Sequence, residues 1–267
     1  MVSDTKNIRF VIIANPRTGT NHFIELLNSH LDVTCHREVF HKHSVFLKQG
    51  TRGDLLEERN KDSLAFLKKL YDDNQTPACG FKIFMGHTES VLDSVLHDKD
   101  MKKIVLYRSN FLAVYSSDKI AEAENRYLII DKERDKISEG AYDSSRTEKK
   151  ALFNKAEFEA RWNAYQDHYR KVVDVLNETG QDYLFMTYEE FINESFFRRV
   201  FSFLGLEQPD ELLTRTKKMN ANDILSRFSN PDEARAYIEE IGRQNWAHES
   251  FMLWQGRDDV VIDAGEK

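Results

Sequence analysis

Residues 9–23, RFVIIANPRTGTNHF, decide how the rest of the chain is read. Ile8 to Ala14 is a short, apolar, largely β-branched run, the pattern of a buried strand. Asn15-Pro16 interrupts it before a helical pattern begins near Thr20. Strand, tight loop and helix in that order form a cradle for an anion. Gly19 lets the backbone turn and come close to a ligand, Thr20 can cap the helix, and the amides of residues 18–22 face outward with the helix dipole behind them. Arg17 adds a guanidinium. The loop lacks the GK[ST] ending that gives a nucleotide triphosphatase its lysine and its magnesium-binding hydroxyl, which points away from magnesium–ATP chemistry. A Gly-Thr pair after a strand is also an ordinary turn and helix cap, so the loop alone leaves both readings open.

Composition narrows the field. A chain of 267 residues, 40% of them hydrophobic, can bury one substantial core, and residues 1–267 are expected to form a single domain. The formal net charge of −7 argues against a nucleic-acid partner, so any anion site must be local. Two cysteines, Cys35 and Cys79, cannot build a disulfide framework and suit a reduced, cytoplasmic setting. No secretory signal is seen, and no apolar run reaches the roughly 18 residues of a membrane span.

Outward from the loop, Phe23, Leu26 and Leu27 recur at helical spacing over 20–29. Val33 and Cys35 alternate as in a brief strand that leads to Glu38. Residues 44–61, with Gly50, Gly53 and many charges, read as an irregular surface segment. Asp62-Ser63 caps a helix carrying Leu64, Leu67, Leu70 and Tyr71. GFKIFM (80–85), KIVLY (103–107) and YLFMT (183–187) are further strands, with helices expected over 88–97, 110–122 and 155–179. This alternation predicts an α/β fold of three layers, P-loop-like, with a central, mostly parallel sheet flanked by helices and ligands at the carboxyl ends of its strands. Residues 122–150 read as an exposed excursion, either a lid or a plain solvated surface. Residues 188–242 read as helical, with Phe191, Phe196, Val200, Phe201 and Leu204 on one face, and the acidic tail over 255–267 as fraying.

A second anion site is readable in KIVLYRSNFLAVYS (103–116). Arg108 is the first polar residue after the strand, and Ser116 lies eight positions on, about two helical turns away. On spacing alone a surface arginine and a helical serine are the better explanation of the pair.

Taken together, the strand with PxxGT, the later strand ending in arginine with serine at plus eight, and YEEFINESFFRRVFSFLGL (188–206) resemble the sulfotransferase family over about residues 9–240. The likeness is to its carbohydrate branch, that of the bacterial nodulation-factor and trehalose-type enzymes. The resemblance implies 3′-phosphoadenosine 5′-phosphosulfate as donor. Arg17, Thr18, Gly19 and Thr20, extended to Asn21 and His22, would be the 5′-phosphosulfate loop, and Arg108 with Ser116 the pair for the 3′-phosphate. Three positions depart from the family pattern: Asn21 and His22 replace small hydroxyl or aromatic residues, and Ser109 stands where Asn or Asp is usual. The basic, glycine-rich nucleotide clamp of cytosolic members is not evident; RTKKMN (215–220) is a different pattern.

The resemblance also assigns chemistry. Glu38, in HREVFH, matches the glutamate that the carbohydrate branch carries after its first helix and would take the acceptor's proton; its plainer alternative is a salt bridge to Arg37 or Arg17. Arg17 and the loop amides would meet the charge that develops on the leaving oxygen. Lys82, His87, His22 and Lys119 are further candidates to touch the sulfuryl group or the acceptor, although Lys82 could equally serve a structural carboxylate. No metal is expected: His36, His41 and His43 near Glu38 match no established ligand spacing. The expected partner is a small-molecule or glycan acceptor, with no nucleic acid and no membrane span, and a homodimer remains open. Phe40, Phe46, Tyr127, Tyr142 and Trp162 are aromatic residues able to stack on a sugar. Two other classes stay in play, a small-molecule kinase or other P-loop phosphotransferase, and a catalytically silent nucleotide- or glycan-binding module.

Overall fold

In the computed structural model, which describes residues 8–124, 149–214 and 221–249, the opening run lies at the centre of a five-stranded sheet. The chain runs β1 (Ile8–Ala14), α1 (Thr20–Asn28), β2 (Val33–His36), β3 (Val45–Leu47), β4 (Gly50–Arg52), α2 (Leu56–Lys61) and α3 (Ser63–Asp72). It continues through β5 (Ala78–Phe84), α4 (Glu89–His97), β6 (Met101–Tyr107), α5 (Phe111–Glu124), α6 (Lys155–Glu178) and β7 (Tyr183–Thr187). Short helices α7 (Tyr188–Phe191), α8 (Glu194–Phe197) and α9 (Arg199–Leu204) follow, then α10 (Pro231–Glu240).

The strand order is β2-β5-β1-β6-β7, and every pairing within this sheet is parallel. The register makes this a platform: Ala14 is level with Phe84 and Leu106, and Tyr107 with Thr187. The chain segments leaving β1, β5, β6 and β7 therefore emerge at one edge. Because alternate strand residues face opposite sides, Val11 and Ile13 of β1 enter one buried cluster with α3, α4, α5 and α6, while Phe10, Ile12 and Ala14 enter the other with α1 and α9. A central strand buried on both faces has to be apolar throughout, which is why its run was visible in the sequence.

Two expectations need correction. Residues 44–61 are not irregular: Val45–Leu47 and Gly50–Arg52 pair as an antiparallel hairpin, and α2 follows. Arg59 of α2 is buried and donates to the carbonyls of Val39 and His41, so its charge ties this segment to the chain beyond Glu38. The C-terminal third is not one helical stretch either. The last of three short helices ends at Gly205, whose φ of 78° suits glycine, and among the described residues the next α-helix is α10. Phe191, Val200, Phe201 and Leu204 stand in the core as expected, joined by Phe197, while the side chain of Phe196 lies outside what the structure describes. The lid reading and the tail fall outside the described residues, apart from 122–124 and 149–150. No helix among the described residues is long and apolar enough to cross a membrane.

Candidate functional site

The loop after β1 is held from three sides. The Asn15 amide donates to the Tyr169 hydroxyl at 3.0 Å, and that hydroxyl donates to the Leu106 carbonyl at 2.6 Å, so α6 fastens the ends of β1 and β6 together. Thr18, fully buried, uses its hydroxyl on the Asn15 carbonyl at 2.7 Å and so shapes the loop from within. Arg17 has a φ of 65°, a left-handed conformation that costs a non-glycine residue on the order of 1 kcal/mol or more. Gly19 has a φ of 81°, and a Cβ there would lie 2.6 Å from the Tyr188 ring and 2.7 Å from Phe191. Gly19, not Thr20, is the helix cap, and Thr20 is the first residue of α1. The first ladder bond runs from the Phe23 amide to the Gly19 carbonyl, leaving the preceding amides without an acceptor inside the helix.

Beside this loop lies a charged cluster. The buried Lys82 ammonium, on β5, is 3.0 Å from Glu38 Oε1 and donates to Asn21 Oδ1 at 2.7 Å and Thr20 Oγ1 at 3.3 Å. Burial pulls the Lys82 pKa down, while Glu38 opposes that shift. His87 Nε2 stands 3.7 Å from the other Glu38 oxygen. His87 Nδ1 accepts the Phe84 amide at 3.2 Å, which leaves its proton on Nε2, facing the carboxylate. Burial lowers the His87 pKa to about 4, so the ring is neutral near pH 7. Glu38 keeps 25% of its side chain exposed, so it is within reach of a ligand entering from solvent. The salt bridge to Arg37 or Arg17 set against a base role does not form in that way: Arg37 pairs with Glu25 at 3.0 Å, and Lys82 is the partner Glu38 takes.

On the other side of the loop, Arg108 donates to the Arg17 carbonyl at 2.8 Å, and Arg17 Nε donates to Ser117 Oγ at 2.9 Å. The two arginines predicted to hold opposite ends of one ligand are thus neighbours. Tyr165 of α6 fixes the position of Arg108, its hydroxyl accepting the Arg108 amide at 2.9 Å and donating to the Arg108 carbonyl at 3.1 Å. The Tyr188 ring, wedged against Gly19, also lies 4.1 Å from the Arg108 guanidinium carbon. Arg108 is buried, and its Nε finds no acceptor among the described residues; the same is true of Asn15 Nδ2 in the loop.

Sequence reasoning missed two members. Arg227 donates to Ser116 Oγ at 3.3 Å and, together with Arg108, grips the Glu249 carboxylate. Neither Arg227 nor Glu249 stands in a local pattern, and no spacing rule would have found them. Tyr188 stood in a motif read as structural; its contacts give it a positioning role on both sides of the loop.

The model of the family described as "Sulfotransferase family" matches residues 9–210. The chain belongs to that family. Among solved structures, a sulfotransferase from Alicyclobacillus acidocaldarius is similar at 17% identity and a TM-score of 0.49, covering 90% of this chain and 95% of that one. Mouse sulfotransferase SULT7A1 complexed with PAP is similar at 12% identity and a TM-score of 0.44, covering 90% and 86%. The sulfotransferase domain of the Synechococcus PCC 7002 olefin synthase follows at 13% and 0.42, covering 99% and 96%. No curated protein matches the chain.

Within this family frame the predicted residues fall into two groups. Glu38, Lys82, His87, Thr20 and Asn21 form one contiguous set, and Arg17, Arg108 and Ser116 join through Ser117 and Arg227. His22 lies elsewhere, its Nδ1 3.2 Å from Thr214 Oγ1 and its ring near Phe191. Lys119 pairs with Glu157 at 3.1 Å. Asn21, whose replacement of a small residue looked like a change in ligand lining, is explained as the acceptor that steadies Lys82. Ser109 hydrogen-bonds Glu189, whose burial raises its pKa. A cavity of about 560 Å³ along α1, lined by Glu25, Arg37, Lys48 and Thr214 among others, includes none of Glu38, Lys82, His87 or Arg108 in its walls.

Proposed function

We propose that this sulfotransferase moves a sulfuryl group from 3′-phosphoadenosine 5′-phosphosulfate to a hydroxyl of a carbohydrate or glycolipid, with Glu38 as the base. The observation that carries the reading is the Lys82 ammonium, which touches Glu38 on one side and Thr20 and Asn21 of the loop on the other. A proton acceptor and an anion cradle coupled through one buried cation are what in-line transfer between two oxygens requires. The loop amides and Arg17 would hold the 5′-phosphosulfate, and the orphan donors Arg108 Nε and Asn15 Nδ2 suit a ligand rich in phosphate oxygens.

In the reaction the acceptor oxygen attacks sulfur while Glu38 removes its proton. The bond from sulfur to the bridging oxygen breaks, and adenosine 3′,5′-bisphosphate leaves with the bonding pair. Lys82, Arg17 and the amides meet the charge that grows on that oxygen, in a partly water-excluded setting where fixed donors are most effective. His87, neutral and 3.7 Å from Glu38, stands beyond hydrogen-bond reach of the carboxylate in the free protein and, with its proton on Nε2, does not compete for the acceptor's proton.

A sugar acceptor is supported by the surroundings of Glu38. His41 and Phe46, both half-buried, pack edge to face at 5.2 Å, His41 lies 6.1 Å from His87, and the Phe46 amide donates to the Glu38 carbonyl. This places aromatic edges next to the base. Of the other aromatic residues considered, Phe40 is core, Trp162 packs on Trp246, and Tyr127 and Tyr142 lie outside the described residues. The cytoplasmic setting rests on Cys35 and Cys79, both unpaired and buried.

The test is transfer of labelled sulfur from the donor across a panel of sugars, lipid-linked glycans and phenols, with and without chelator. Transfer to a sugar hydroxyl that survives the chelator is expected. Stabilisation by magnesium–ATP in place of adenosine 3′,5′-bisphosphate, with no transfer to any acceptor, would overturn the reading.

A further inference from the structure

Glu249 sits on Arg108, which the family resemblance pairs with Ser116 for the 3′-phosphate of the donor. Both of its carboxylate oxygens accept from Arg108 Nη2 at 2.7 Å, Oε1 also accepts from Arg227 Nη2 at 2.5 Å, and Arg227 Nη1 reaches Ser116 Oγ at 3.3 Å. The contact joins positions 141 residues apart, so the fold has to deliver it. The main chain does so: the Glu249 amide donates to the Asn222 carbonyl at 2.9 Å, the Ile224 amide to the Ala247 carbonyl at 2.9 Å, and Asn110 Nδ2 to the carbonyls of Trp246 and His248 at 3.2 Å each.

The match between this anion and its donors is incomplete. Two guanidiniums face one carboxylate, which brings a single negative charge and two oxygens. A phosphate monoester brings about two charges and three terminal oxygens. Arg108 Nε is the donor left over, buried and without an acceptor among the described residues. The donor set thus exceeds what Glu249 can satisfy, by the amount a phosphate would supply.

We propose that Glu249 is a built-in competitor for the site formed by Arg108, Arg227 and Ser116, so that its carboxylate and the 3′-phosphate of the nucleotide exclude one another. The inference rests on the donor assignment made above. The two kinds of nucleotide then meet different sites: one carrying a 3′-phosphate has to displace the carboxylate, at a cost in affinity, and one without it leaves Glu249 in place. It also means that affinity for the bisphosphate is set by a difference between two anions rather than by the phosphate contacts alone.

Calorimetric titration of wild type and Glu249→Gln with adenosine 3′,5′-bisphosphate and adenosine 5′-monophosphate tests this. Because affinity falls with the fraction of sites open to ligand, Glu249→Gln should bind the bisphosphate about tenfold or more tightly, with monophosphate affinity changed no more than about twofold. Unchanged or weaker bisphosphate binding in the variant, with wild type still preferring the bisphosphate, overturns the inference and leaves the donor assignment standing. A wild type that does not distinguish the two nucleotides removes the donor assignment, and the inference with it. Should Glu249→Gln fail to fold, a wild-type structure with the bisphosphate decides: a Glu249 carboxylate beyond hydrogen-bond reach of Arg108 supports the competition, and one still bonded to it overturns it.

Discussion

The loop after β1 and the arginine cluster around Glu249 hold charge by opposite means. In the loop the donors are largely backbone amides at the start of α1, aimed by Gly19 and a left-handed Arg17, and their shape follows from about six consecutive residues. In the cluster the donors are side chains from the turn after β6, from α5 and from the segment before α10, gathered around a carboxylate from position 249. Backbone donors are cheap to place and hard to retune; side-chain donors can be exchanged or blocked one at a time. The difference suggests a division of labour, with chemistry at the loop and Glu38, and nucleotide selection at the arginines.

The largest effect is expected at Glu38. Glu38→Gln keeps the shape and a hydrogen-bond acceptor for Lys82 while removing the base, so transfer should fall by about 10²–10⁴-fold in kcat, with bisphosphate affinity nearly unchanged. Single-turnover transfer alongside calorimetry measures both. An active Gln variant takes Glu38 out of the mechanism, and a variant that loses nucleotide binding shows that the two halves are not separable.

Next comes Arg108→Lys. Lysine keeps the charge but cannot bridge the Arg17 carbonyl and Glu249 as the planar fork does. Loss of such charge-assisted bonds corresponds to about 1.5–3 kcal/mol, or roughly 10–100-fold in bisphosphate affinity. Adenosine 5′-monophosphate, lacking the 3′ group, should be affected less. Equal losses for both nucleotides would mean that Arg108 acts through the loop carbonyl and not on a phosphate.

The same contrast explains what could be read from the sequence. The strands were legible because β1, β5 and β6 are buried on both faces, and burial of that kind writes a continuous apolar run. The loop was legible because its chemistry is local. Arg108 and Ser116 could be read together from their spacing, but Arg227 and Glu249 could not, since the contact from Arg108 to Glu249 spans 141 positions and leaves no periodicity behind. The hairpin over 45–52 was missed for another reason: its strands have three residues each, too short to establish an alternation. Lys82 was left open between solvent and a carboxylate, because a lysine in an apolar strand shows its burial but not its partner.

A smaller effect should come from Tyr165→Phe. The hydroxyl serves both the amide and the carbonyl of Arg108, and its loss leaves two buried backbone groups unpaired at a cost of about 1–3 kcal/mol. Urea denaturation measures the destabilisation. If the division of labour holds, the surviving folded enzyme shows a higher KM for the donor and little change in kcat. A fall in kcat with KM unchanged would instead tie α6 to the chemical step.

A dependence on acid also separates the halves. Burial holds the pKa of His36, His87 and His168 down at about 4, against roughly 6.5 in an unfolded chain. Between those values the unfolded state binds more protons, so the stability these rings contribute is fully present above about pH 6.5 and is lost as pH falls through about 4. At Glu249, burial alone would raise the pKa, but Arg108 and Arg227 outweigh it and hold the carboxyl below its ordinary value. Its contribution is therefore retained until the pH drops below the ordinary carboxylate range, and the arginine cluster should pass through the histidine window intact. Tm measured from pH 7 to 4.5 should decline, and His87→Asn should flatten part of that decline. Bisphosphate affinity, corrected for the unfolded fraction, should follow only the protonation of the ligand's own phosphates, whose second pKa is about 6, because the proposed nucleotide site at Arg108, Arg227 and Glu249 adds no group that titrates over this range. A steady Tm, or an acid loss of affinity that His87→Asn abolishes, would place the pH-sensitive groups on the wrong side of the loop.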